Sequence, residues 1–341
     1  MQVTILNIKQ ETHDVKTFTL ANADGKAPQY EAGQFITLIS AHTGIEERRS
    51  YSFSSTPINE EAATITVKRL DNGIMSRHLF DRVQVGNVLE ALKPTGGFFT
   101  LPANTEDIQH YFFFAAGVGI TPICSLIKTI LLTGTQSITL VYSNRSIADT
   151  LFYTELESLR MQYEDRFHIE YLFSTASDLT RARLSKTLLP DILQELQHDG
   201  KTLYYLCGPF PYMRMVMLGL EEAGIPADSI RKENFNTSII TSIIKPPDED
   251  AHQVNLHFNQ KDYQFTTQYP DTILKSAKKN GIPLPYSCEN GICGTCVAQC
   301  TGGHIWHRNN EVLTDEELQK GLVLTCVAYP VGGDVSIKLN D

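Results

Sequence analysis

Four cysteines in the C-terminal third of the chain limit its possible folds more than any other feature. Cys288, Cys293 and Cys296 follow the spacing C-x4-C-x2-C, and Cys326 follows at a distance. Three thiolates on one short loop can surround two irons, and a fourth from a separate element completes the ligand set. The pattern is typical of a 2Fe-2S cluster and indicates a protein that transfers single electrons.

Disulfide bonds and structural zinc are the other uses of such cysteines. The chain has 7 cysteines in 341 residues, and it shows neither an apolar leader at its start nor an apolar run of membrane-spanning length. We therefore expect a cytoplasmic protein without a membrane partner, in which thiols stay reduced and disulfides are disfavoured. Structural zinc favours two C-x2-C pairs, whereas this chain has the one pair Cys293 and Cys296. Both alternatives remain open, and the cluster is the favoured interpretation.

Three further residues near the motif could belong to other iron-sulfur patterns. Cys300 could extend the motif into a bacterial ferredoxin run, but that run ends in Cys-Pro and Thr301 follows here. We expect Cys300 to occupy a strand position in the alternation that starts at Val297. His304 and His307 could suggest a Rieske centre, but such a centre needs two similar loops that each pair a histidine with a cysteine. We therefore expect both histidines to lie in loops.

The sequence from about Val254 to its end resembles the plant-type ferredoxin family. The resemblance rests on three segments in family order, Pro283 to Cys288, Cys293 to Cys296 and Leu322 to Pro330. It implies a β-grasp domain whose cluster is held by Cys288, Cys293, Cys296 and Cys326. Periodicity independently predicts a small mixed α+β sheet, with strands at 253–258, 263–267 and 335–339 and a helix at 272–280.

A ferredoxin domain needs about 90 residues, so the rest of the chain has room for two more domains. The net charge of −10 is spread along the chain, which argues against nucleic acid or an anionic membrane as a partner. Residues 236–252 contain Lys245-Pro246-Pro247 and Asp248-Glu249-Asp250, and we interpret them as a stiff, solvated linker. We expect domains at 1–106, 107–235 and 253–341, and we hypothesise that the linker lets the last one move.

Residues 1–106 alternate between apolar and polar side chains in the manner of short antiparallel strands. Val15 to Leu20 and Ala63 to Val67 are two examples, and glycine-containing turn signals separate the strands. The pattern predicts an antiparallel β-barrel with one short helix, which begins near Gly73 and continues through Arg82.

Two short motifs in this predicted barrel are suited to a flavin. In Arg49-Ser50-Tyr51-Ser52, the guanidinium can bind phosphate in a bidentate manner, and the tyrosine ring can lie along the isoalloxazine. In Gly73-Ile74-Met75-Ser76, the start of the helix offers backbone N–H groups to a pyrophosphate. Each motif is weak alone, because an Arg-x-Tyr-Ser pattern also fits an ordinary strand.

From residue 107 the periodicity changes to that of alternating strands and helices. His110 to Ala115 is an unbroken apolar run, as in a strand buried on both faces, and it leads into Gly117 to Pro122. We expect Thr121 to cap a helix that Pro122 begins. The alternation predicts a doubly wound α/β domain that binds its ligand at the carboxyl ends of parallel strands. Its further strands are predicted at 137–142, 168–173 and 202–206, and its helices at 151–163, 188–196 and 212–223.

Residues 1–235 resemble the ferredoxin-NADP reductase superfamily. Five motifs occur in family order: Arg49 to Ser52, Gly73 to Ser76, Gly117 to Pro122, Cys207-Gly208-Pro209 and Glu233-Asn234-Phe235. With a ferredoxin domain at the C-terminal end, the domain order is similar to that of one group of oxygenase reductases. Arg145 and the segment with Phe152 and Glu155-Leu156 are most similar to the reductase subunits of phenylacetyl-CoA epoxidases.

The resemblance implies a flavin site on the barrel and a dinucleotide site on the α/β domain. The flavin is expected to be FAD rather than FMN, with Val67 and Lys68 at the isoalloxazine edge and Ser76 at the pyrophosphate. The implied catalytic residues are Cys207 near the reactive nicotinamide carbon, Glu233 over the flavin and Tyr51. Cys207 could instead be a buried thiol at a strand end, but its position directly before Gly208-Pro209 favours a functional role. The implied cofactor-binding residues are Arg49, Ser50, Tyr51, Ser52, Val67, Lys68, Gly73, Met75, Ser76, Gly117, Gly119, Thr121, Ser143, Arg145, Gly208, Pro209 and Phe235.

The expected cofactors suggest an order of electron transfer. Ser143 and Arg145 can supply donors to a second phosphate, so we expect NADPH rather than NADH. A nicotinamide gives up two electrons as hydride, a 2Fe-2S cluster accepts one, and a flavin can do both, so the flavin stands between them. The expected acceptor is a multicomponent oxygenase in aromatic, phenylacetyl-CoA-type catabolism. A reductase for a hybrid-cluster protein or another soluble carrier is one alternative, and a redox sensor without turnover is another.

Overall fold

The computed structural model of the protein describes residues 1–41, 44, 46–59, 61–196, 198–235 and 244–339. The chain forms two compact units, Met1–Asn234 and Phe235–Asp341. Residues 236–243 of the predicted linker lie outside the described residues. No helix in the described part of the chain is long and apolar enough to cross a bilayer.

The first unit begins with a six-stranded antiparallel sheet. The strand order is β4-β3-β6-β1-β2-β5, and Phe53, directly after β4, pairs with Ile65 of β5, so the two edges of the sheet meet. This confirms the prediction of an antiparallel barrel. Its interior is filled by side chains that alternate along the strands, among them Ile5, Phe18 and Ile36. The elements are β1 (Gln2–Thr12), β2 (Val15–Asn22), β3 (Phe35–Ser40), β4 (Glu47–Ser52), β5 (Thr64–Lys68), α1 (Ile74–Asp81) and β6 (Val88–Ala91).

The second half of this unit is a five-stranded parallel sheet with helices on both faces, as predicted. Its strand order is β11-β10-β7-β8-β9. Successive strands are added on one side of β7 up to β9 and then on its other side from β10, so the order of the strands reverses between β7 and β10. Such a reversal opens a crevice at the carboxyl ends of the two strands. The elements are β7 (Ile108–Ala116), α2 (Ile120–Thr133), β8 (Ser137–Asn144), α3 (Tyr153–Gln162), β9 (Phe167–Phe173), α4 (Leu188–Glu195), β10 (Lys201–Cys207), α5 (Phe210–Glu222) and β11 (Ile230–Glu233).

The aromatic run of β7 explains why both faces of this sheet are covered. Tyr111 and Phe113 point into the core under α2 and α3, whereas Phe112 and Phe114 point into the core under α4 and α5. Because side chains alternate along a strand, an unbroken apolar run supplies both cores at once.

The start of α2 differs from the prediction. A single turn of 3-10 helix, Gly117–Gly119, leads directly into α2, which begins at Ile120 with Gly119 at the N-cap position. The prediction that Thr121 caps the helix is therefore wrong. Its hydroxyl lies within the helix and donates to the carbonyl oxygen of Val118 at 3.1 Å. Because the 3-10 turn runs directly into α2, Gly119 occupies the N-cap position and Thr121 lies inside the first turn of the helix.

The second unit has a five-stranded mixed sheet and one main helix, as predicted. The strand order is β13-β12-β18-β14-β16, in which β12 and β18 are parallel and the other neighbours antiparallel. Cys300 lies in a strand, as expected, but His307 also lies in one, so its placement in a loop was wrong. The elements are β12 (His252–Phe258), β13 (Lys261–Thr267), α6 (Ile273–Lys279), β14 (Val297–Gly302), β15 (Ile305–His307), α7 (Asp315–Gln319), β16 (Leu322–Leu324), β17 (Ala328–Pro330) and β18 (Val335–Lys338).

The described end of the predicted linker packs against the second unit. Asp248 Oδ2 accepts hydrogen bonds from Gly332 N at 2.6 Å and from His252 Nε2 at 2.8 Å. These donors, with the N–H of Asp250, lower the pKa of Asp248 to about 2. The expectation that this acidic run is held in solvent is therefore wrong at Asp248, because its charge is used to attach the chain to the ferredoxin unit.

Candidate functional site

Two loops meet at the crevice between β7 and β10. A Cβ atom on Gly119 would lie 2.2 Å from the carbonyl oxygen of Cys207, so only glycine permits this approach. Gly117 has a φ of +54°, and its carbonyl oxygen accepts a hydrogen bond from the Tyr142 hydroxyl at 3.1 Å. The chain around Gly117 and Gly119 is thereby fixed beside the end of β10, where a dinucleotide would bind.

Glu233 and Ser52 connect this crevice to the flavin motif of the barrel. The parallel pairing of β10 and β11 places Glu233 opposite Cys207. Ser52 Oγ donates to Glu233 Oε1 at 2.9 Å, across 181 positions of sequence. The structure therefore brings together Cys207, Glu233 and Ser52, three residues that sequence motifs nominated separately.

Burial sets the protonation of two of these groups. Burial raises the pKa of Glu233 to about 8, and the hydrogen bond from Ser52 opposes that rise. Burial, together with the charge of Glu233, raises the pKa of the Cys207 thiol well above its usual value. Cys207 is fully buried and stays a neutral thiol, so it is suited to contact with a nicotinamide ring rather than to attack as a thiolate.

Buried polar atoms without good partners line the same edge of the sheet. The Ser143 hydroxyl and the Tyr212 phenol lie close together, yet neither has a hydrogen bond of good geometry among the described residues. Glu233 Oε2 is also buried without a partner in this part of the chain. Arg145 is exposed beside Ser143, and its guanidinium forms no ion pair within the described residues. Such groups fit a polar ligand, because buried polar atoms are costly until they are hydrogen-bonded.

The flavin motif on β4 presents some of its side chains and uses others internally. Arg49 Nη1 donates to the carbonyl oxygen of Arg48 at 2.7 Å, and its Nη2 lies 3.8 Å from Glu47 Oε2. The side chain is nevertheless 40% exposed, so a phosphate can reach it. Ser50 Oγ is hydrogen-bonded to Thr37 Oγ1 at 2.9 Å, and Tyr51 packs against the barrel core. The motif fits a flavin through Arg49, Tyr51 and Ser52.

The start of α1 fits a pyrophosphate through its backbone. Ser76 Oγ accepts from Leu70 N at 3.2 Å and donates to the Gly73 carbonyl oxygen at 3.3 Å. Its hydroxyl therefore closes the turn before the helix and is not available to a phosphate. Met75 and Ser76 are buried, and no side chain caps the first turn, so its N–H groups are the available donors.

Val67 and Lys68 lie on β5, but their side chains are not equivalent. Val67 is fully buried in the barrel core, so only its main chain can reach a flavin. Lys68 Nζ lies 3.3 Å from Asp14 Oδ2 and borders an open cleft of about 570 Å³. Phe235 is 38% exposed and belongs to the second unit.

The cysteine loop of the second unit has the backbone that its spacing requires. Gly291 and Gly294 have φ angles of +72° and +71°. A Cβ atom on Gly291 would lie 2.6 Å from the carbonyl oxygen of Asn309, so this position needs glycine for space as well. The loop can therefore turn all three of its cysteines toward one side.

The four sulfur atoms form a connected set. Hydrogen bonds from the thiols of Cys293 and Cys326, and from backbone N–H groups of the loop, lower the pKa of Cys288. Cys326 in turn contacts Cys296. Among the described residues no three ligands surround a single ion, and all seven cysteines are free. A contiguous chain of sulfur pairs fits a two-iron cluster, in which each iron takes two protein ligands.

Sequence reasoning missed the residues that support this loop. Asn309 Nδ2 donates to the Asn290 carbonyl oxygen at 2.9 Å, and Thr325 Oγ1 donates to that of Cys296 at 3.1 Å. His307 Nε2 accepts from Leu324 N at 3.0 Å, and burial lowers its pKa to about 4, so it stays neutral. No local pattern marks these residues, because their partners are distant in sequence. Tyr212 was also missed, although its place just after Cys207-Gly208-Pro209 was a usable signal.

Comparison with known proteins identifies three domain families along the chain. Three domain families match in order: an oxidoreductase FAD-binding domain at residues 2–99, an oxidoreductase NAD-binding domain at 113–217, and a 2Fe-2S iron-sulfur cluster binding domain at 256–331.

Two curated relatives span nearly the whole chain. The ferredoxin reductase component of a 3-ketosteroid-9-alpha-monooxygenase from Rhodococcus rhodochrous is 30% identical, over 98% of this chain and 96% of the relative. A component of the 1,2-phenylacetyl-CoA epoxidase of Escherichia coli is 31% identical, over 99% of this chain and 97% of the relative.

Solved structures support the fold. Phthalate dioxygenase reductase is 24% identical with a TM-score of 0.62, over 99% of this chain and 98% of its own. A type IV self-sufficient cytochrome P450 monooxygenase is 22% identical with a TM-score of 0.75 over 99% of this chain, which spans about two fifths (41%) of that longer protein.

The barrel, the doubly wound domain and the cysteine loop together define an electron-transfer oxidoreductase that uses FAD, NAD(P)H and a 2Fe-2S cluster. Within that class, the chain belongs to the ferredoxin-NADP reductase superfamily, in the group whose members carry a C-terminal 2Fe-2S ferredoxin domain.

Proposed function

We propose that the protein is the reductase component of a multicomponent oxygenase, which it supplies with electrons from NAD(P)H. The observation that carries the proposal is the Ser52–Glu233 hydrogen bond, which joins the flavin motif to the nicotinamide crevice. A chain with this junction and its own ferredoxin domain is equipped to convert two-electron input to one-electron output.

Each candidate residue has a proposed task. Arg49, Tyr51, Ser52 and the first turn of α1 would hold FAD, and the Gly117–Gly119 turn with Gly208 and Pro209 would hold the dinucleotide. Cys207 would contact the nicotinamide, and Glu233 would provide or take up a proton beside the flavin, for which a pKa of about 8 is well placed. Cys288, Cys293, Cys296 and Cys326 would hold the cluster. When bound, these groups supply the chemistry: hydride from the nicotinamide, two-to-one-electron conversion at the flavin, and single-electron transfer at the cluster.

We propose NADPH as the preferred nicotinamide. Arg145 is exposed beside Ser143 and has no ion pair within the described residues, so it can bind an added phosphate. An acidic residue would be expected there in a protein that prefers NADH.

For the oxygenase partner we propose a phenylacetyl-CoA-type system. The similarity to the E. coli epoxidase component supports this choice. The resemblance of Arg145 and of the segment around Phe152 and Glu155 to such subunits supports it as well. We also propose that the domains divide at residues 106 and 235. We propose a cytoplasmic location for the protein.

The test is reconstitution with purified oxygenase components. The protein is mixed with NADPH in three separate reactions. The first contains the oxygenase component of a phenylacetyl-CoA epoxidase, the second that of a 3-ketosteroid-9-alpha-monooxygenase, and the third a soluble one-electron carrier. We expect coupled product formation with the epoxidase component. Product with the steroid component alone would change the assigned substrate class, and reduction of the carrier without product from any oxygenase would contradict the oxygenase assignment.

A further inference from the structure

A buried lysine joins the barrel to the nicotinamide domain away from the cofactor motifs. Lys128 lies on α2 with its side chain 9% exposed, and its Nζ lies 2.7 Å from Glu61 Oε1 and 3.0 Å from Glu155 Oε1. Glu61 belongs to the barrel, in the loop between β4 and β5, whereas Glu155 lies on α3 of the nicotinamide domain. Lys128 therefore forms one ion pair between the domains, with Glu61, which we call the interdomain arm. It forms another within the nicotinamide domain, with Glu155, which we call the intradomain arm.

The interdomain arm is reinforced by a second contact. Thr56 N donates to Glu61 Oε2 at 2.8 Å, and the Thr56 and Thr129 hydroxyl oxygens lie 2.7 Å apart. Thr129 Oγ1 donates its proton to the Ser125 carbonyl oxygen at 2.8 Å, so Thr56 is the donor to Thr129. Both contacts hold Thr56 and Glu61 of the barrel against one face of α2.

Each side of this contact leads directly to a cofactor motif. On the barrel side, Thr56 follows Ser52 by four positions, and between them the Phe53 ring stacks on Tyr30 at 3.8 Å. On the other side, α2 continues directly from the Gly117–Gly119 turn. A movement of α2 against Thr56 and Glu61 would therefore move the dinucleotide turn relative to the flavin motif.

The buried charge of Lys128 favours one arrangement of the barrel against the nicotinamide domain. An ammonium group removed from water is costly unless carboxylates stay within hydrogen-bond reach. Apolar surfaces can slide by about an ångström at small cost, but such a shift would take Lys128 and Glu61 beyond hydrogen-bond distance and leave Lys128 with Glu155 alone. The best-attested use of a buried ionic group is to specify an arrangement rather than to add stability.

We propose that Lys128 is a positioning residue, whose bond to Glu61 sets the distance between the nicotinamide and flavin sites and thereby the rate of hydride transfer. In that step the nicotinamide is oxidised by loss of two electrons and a proton as hydride, and the flavin is reduced by the same hydride. The inference rests on the nicotinamide-to-flavin step of the proposed function and adds the residue that controls its geometry.

The test compares the two arms of Lys128. Stopped-flow reduction of the FAD-loaded protein is measured at increasing NADPH, which separates the limiting rate from the dissociation constant. The variants are Lys128→Met, Glu61→Gln for the interdomain arm and Glu155→Gln for the intradomain arm. Lys186→Met is the matched control, because it removes an exposed lysine bonded to Glu222 at 2.7 Å. Amide hydrogen exchange around Thr56 gives a second readout that does not depend on turnover.

We expect Lys128→Met and Glu61→Gln to lower the limiting rate roughly ten- to hundredfold, since a displacement of 1 Å can cost that much. Dissociation constants should stay within about twofold, because nucleotide contacts are intact, and Lys128→Arg should recover part of the rate. Exchange at Thr56 should be faster in both variants, while Glu155→Gln and Lys186→Met should resemble wild type.

Two results would overturn the inference. One is a limiting rate for Glu61→Gln within twofold of wild type, which stays decisive even if Lys128→Met does not fold. The other is an equal loss in Glu155→Gln, which would show that Lys128 acts within the nicotinamide domain. Failure of wild type to be reduced by either nicotinamide would instead refute the proposed function.

Discussion

The cysteine loop and the dinucleotide edge differ in how far they are organised before a ligand binds. The dinucleotide edge is the set of groups at the carboxyl ends of β8, β10 and β11 together with the start of α5. In the loop, three of the four proposed cluster ligands lie within residues 288–296, and backbone carbonyls around them already accept hydrogen bonds from Asn309 and Thr325. At the dinucleotide edge, the polar groups come from separate elements: Ser143 lies on β8, Glu233 on β11 and Tyr212 in the first turn of α5. Each of the three keeps a buried atom without a good partner among the described residues.

This difference predicts how each site responds to change. We propose that all four sulfurs bind the cluster, so removal of one should abolish the cluster and leave the other site intact. The dinucleotide edge has several groups that share one ligand, so single changes there should give graded effects.

The largest effect is expected from Cys326→Ser. Its sulfur connects Cys288 to Cys296, so its loss should lower iron from about two per chain toward zero and remove the paramagnetic signal of the reduced cluster. Flavin reduction by NADPH should remain, which stopped-flow absorbance would check.

Cys300→Ser is the control for this variant. Cys300 lies on β14, and its sulfur contacts the carbonyl oxygen of Gly302 at 3.4 Å rather than the other cysteines. Iron content should stay at the wild-type level. Loss of iron in Cys300→Ser, or its retention in Cys326→Ser, would contradict the ligand assignment.

The next largest effect is expected from Gly119→Ala. The new Cβ would lie 2.2 Å from the Cys207 carbonyl oxygen, so the backbone must shift, at a cost of about 3 kcal/mol. Reduction of the flavin should slow roughly a hundredfold. Gly117→Ala meets no neighbouring atom within 4 Å and should cost about 1–2 kcal/mol for its left-handed backbone. Equal rates in the two variants would show that the close approach at Gly119 is unimportant.

Glu233→Gln should change how stability depends on pH. The pKa of Glu233 is raised from 4.5 to about 8 in the folded chain. The contribution of its proton to the free energy of unfolding is therefore fully present below about pH 4.5 and is lost as pH rises through 8. Glutamine cannot ionise, so the free energy of unfolding of the variant relative to wild type should increase with pH across that window, by up to about 5 kcal/mol.

Denaturant unfolding at several pH values would measure this difference. Glu222→Gln, at an exposed ion pair with Lys186, provides the comparison. A flat difference between wild type and Glu233→Gln from pH 5 to 8 would show that the carboxyl group is hydrated rather than buried.

The smallest effect is expected from Arg145→Ala. Loss of one exposed guanidinium should lower kcat/KM for NADPH about tenfold, a change of about 1.4 kcal/mol, and leave NADH nearly unchanged. Steady-state kinetics with both nucleotides would measure it. An equal loss with both would mean that Arg145 binds a part that they share.

The sequence predicts those features that depend on near neighbours. The cysteine spacing and the two-faced apolar run of β7 are local, and both identify their structures correctly. The cap at Thr121 was wrong, because nothing local shows that a 3-10 turn continues into α2. The Ser52–Glu233 and Lys128–Glu61 contacts could not be predicted, since they depend on how two domains pack.

An anaerobic titration of the purified protein with NADPH, and in parallel with NADH, tests the central claim most directly. It follows the absorbance of flavin and cluster together with the paramagnetic signal of the reduced cluster. We expect both chromophores to be reduced, at lower concentrations of NADPH than of NADH. Reduction of the flavin with no response from an iron-loaded cluster would contradict it.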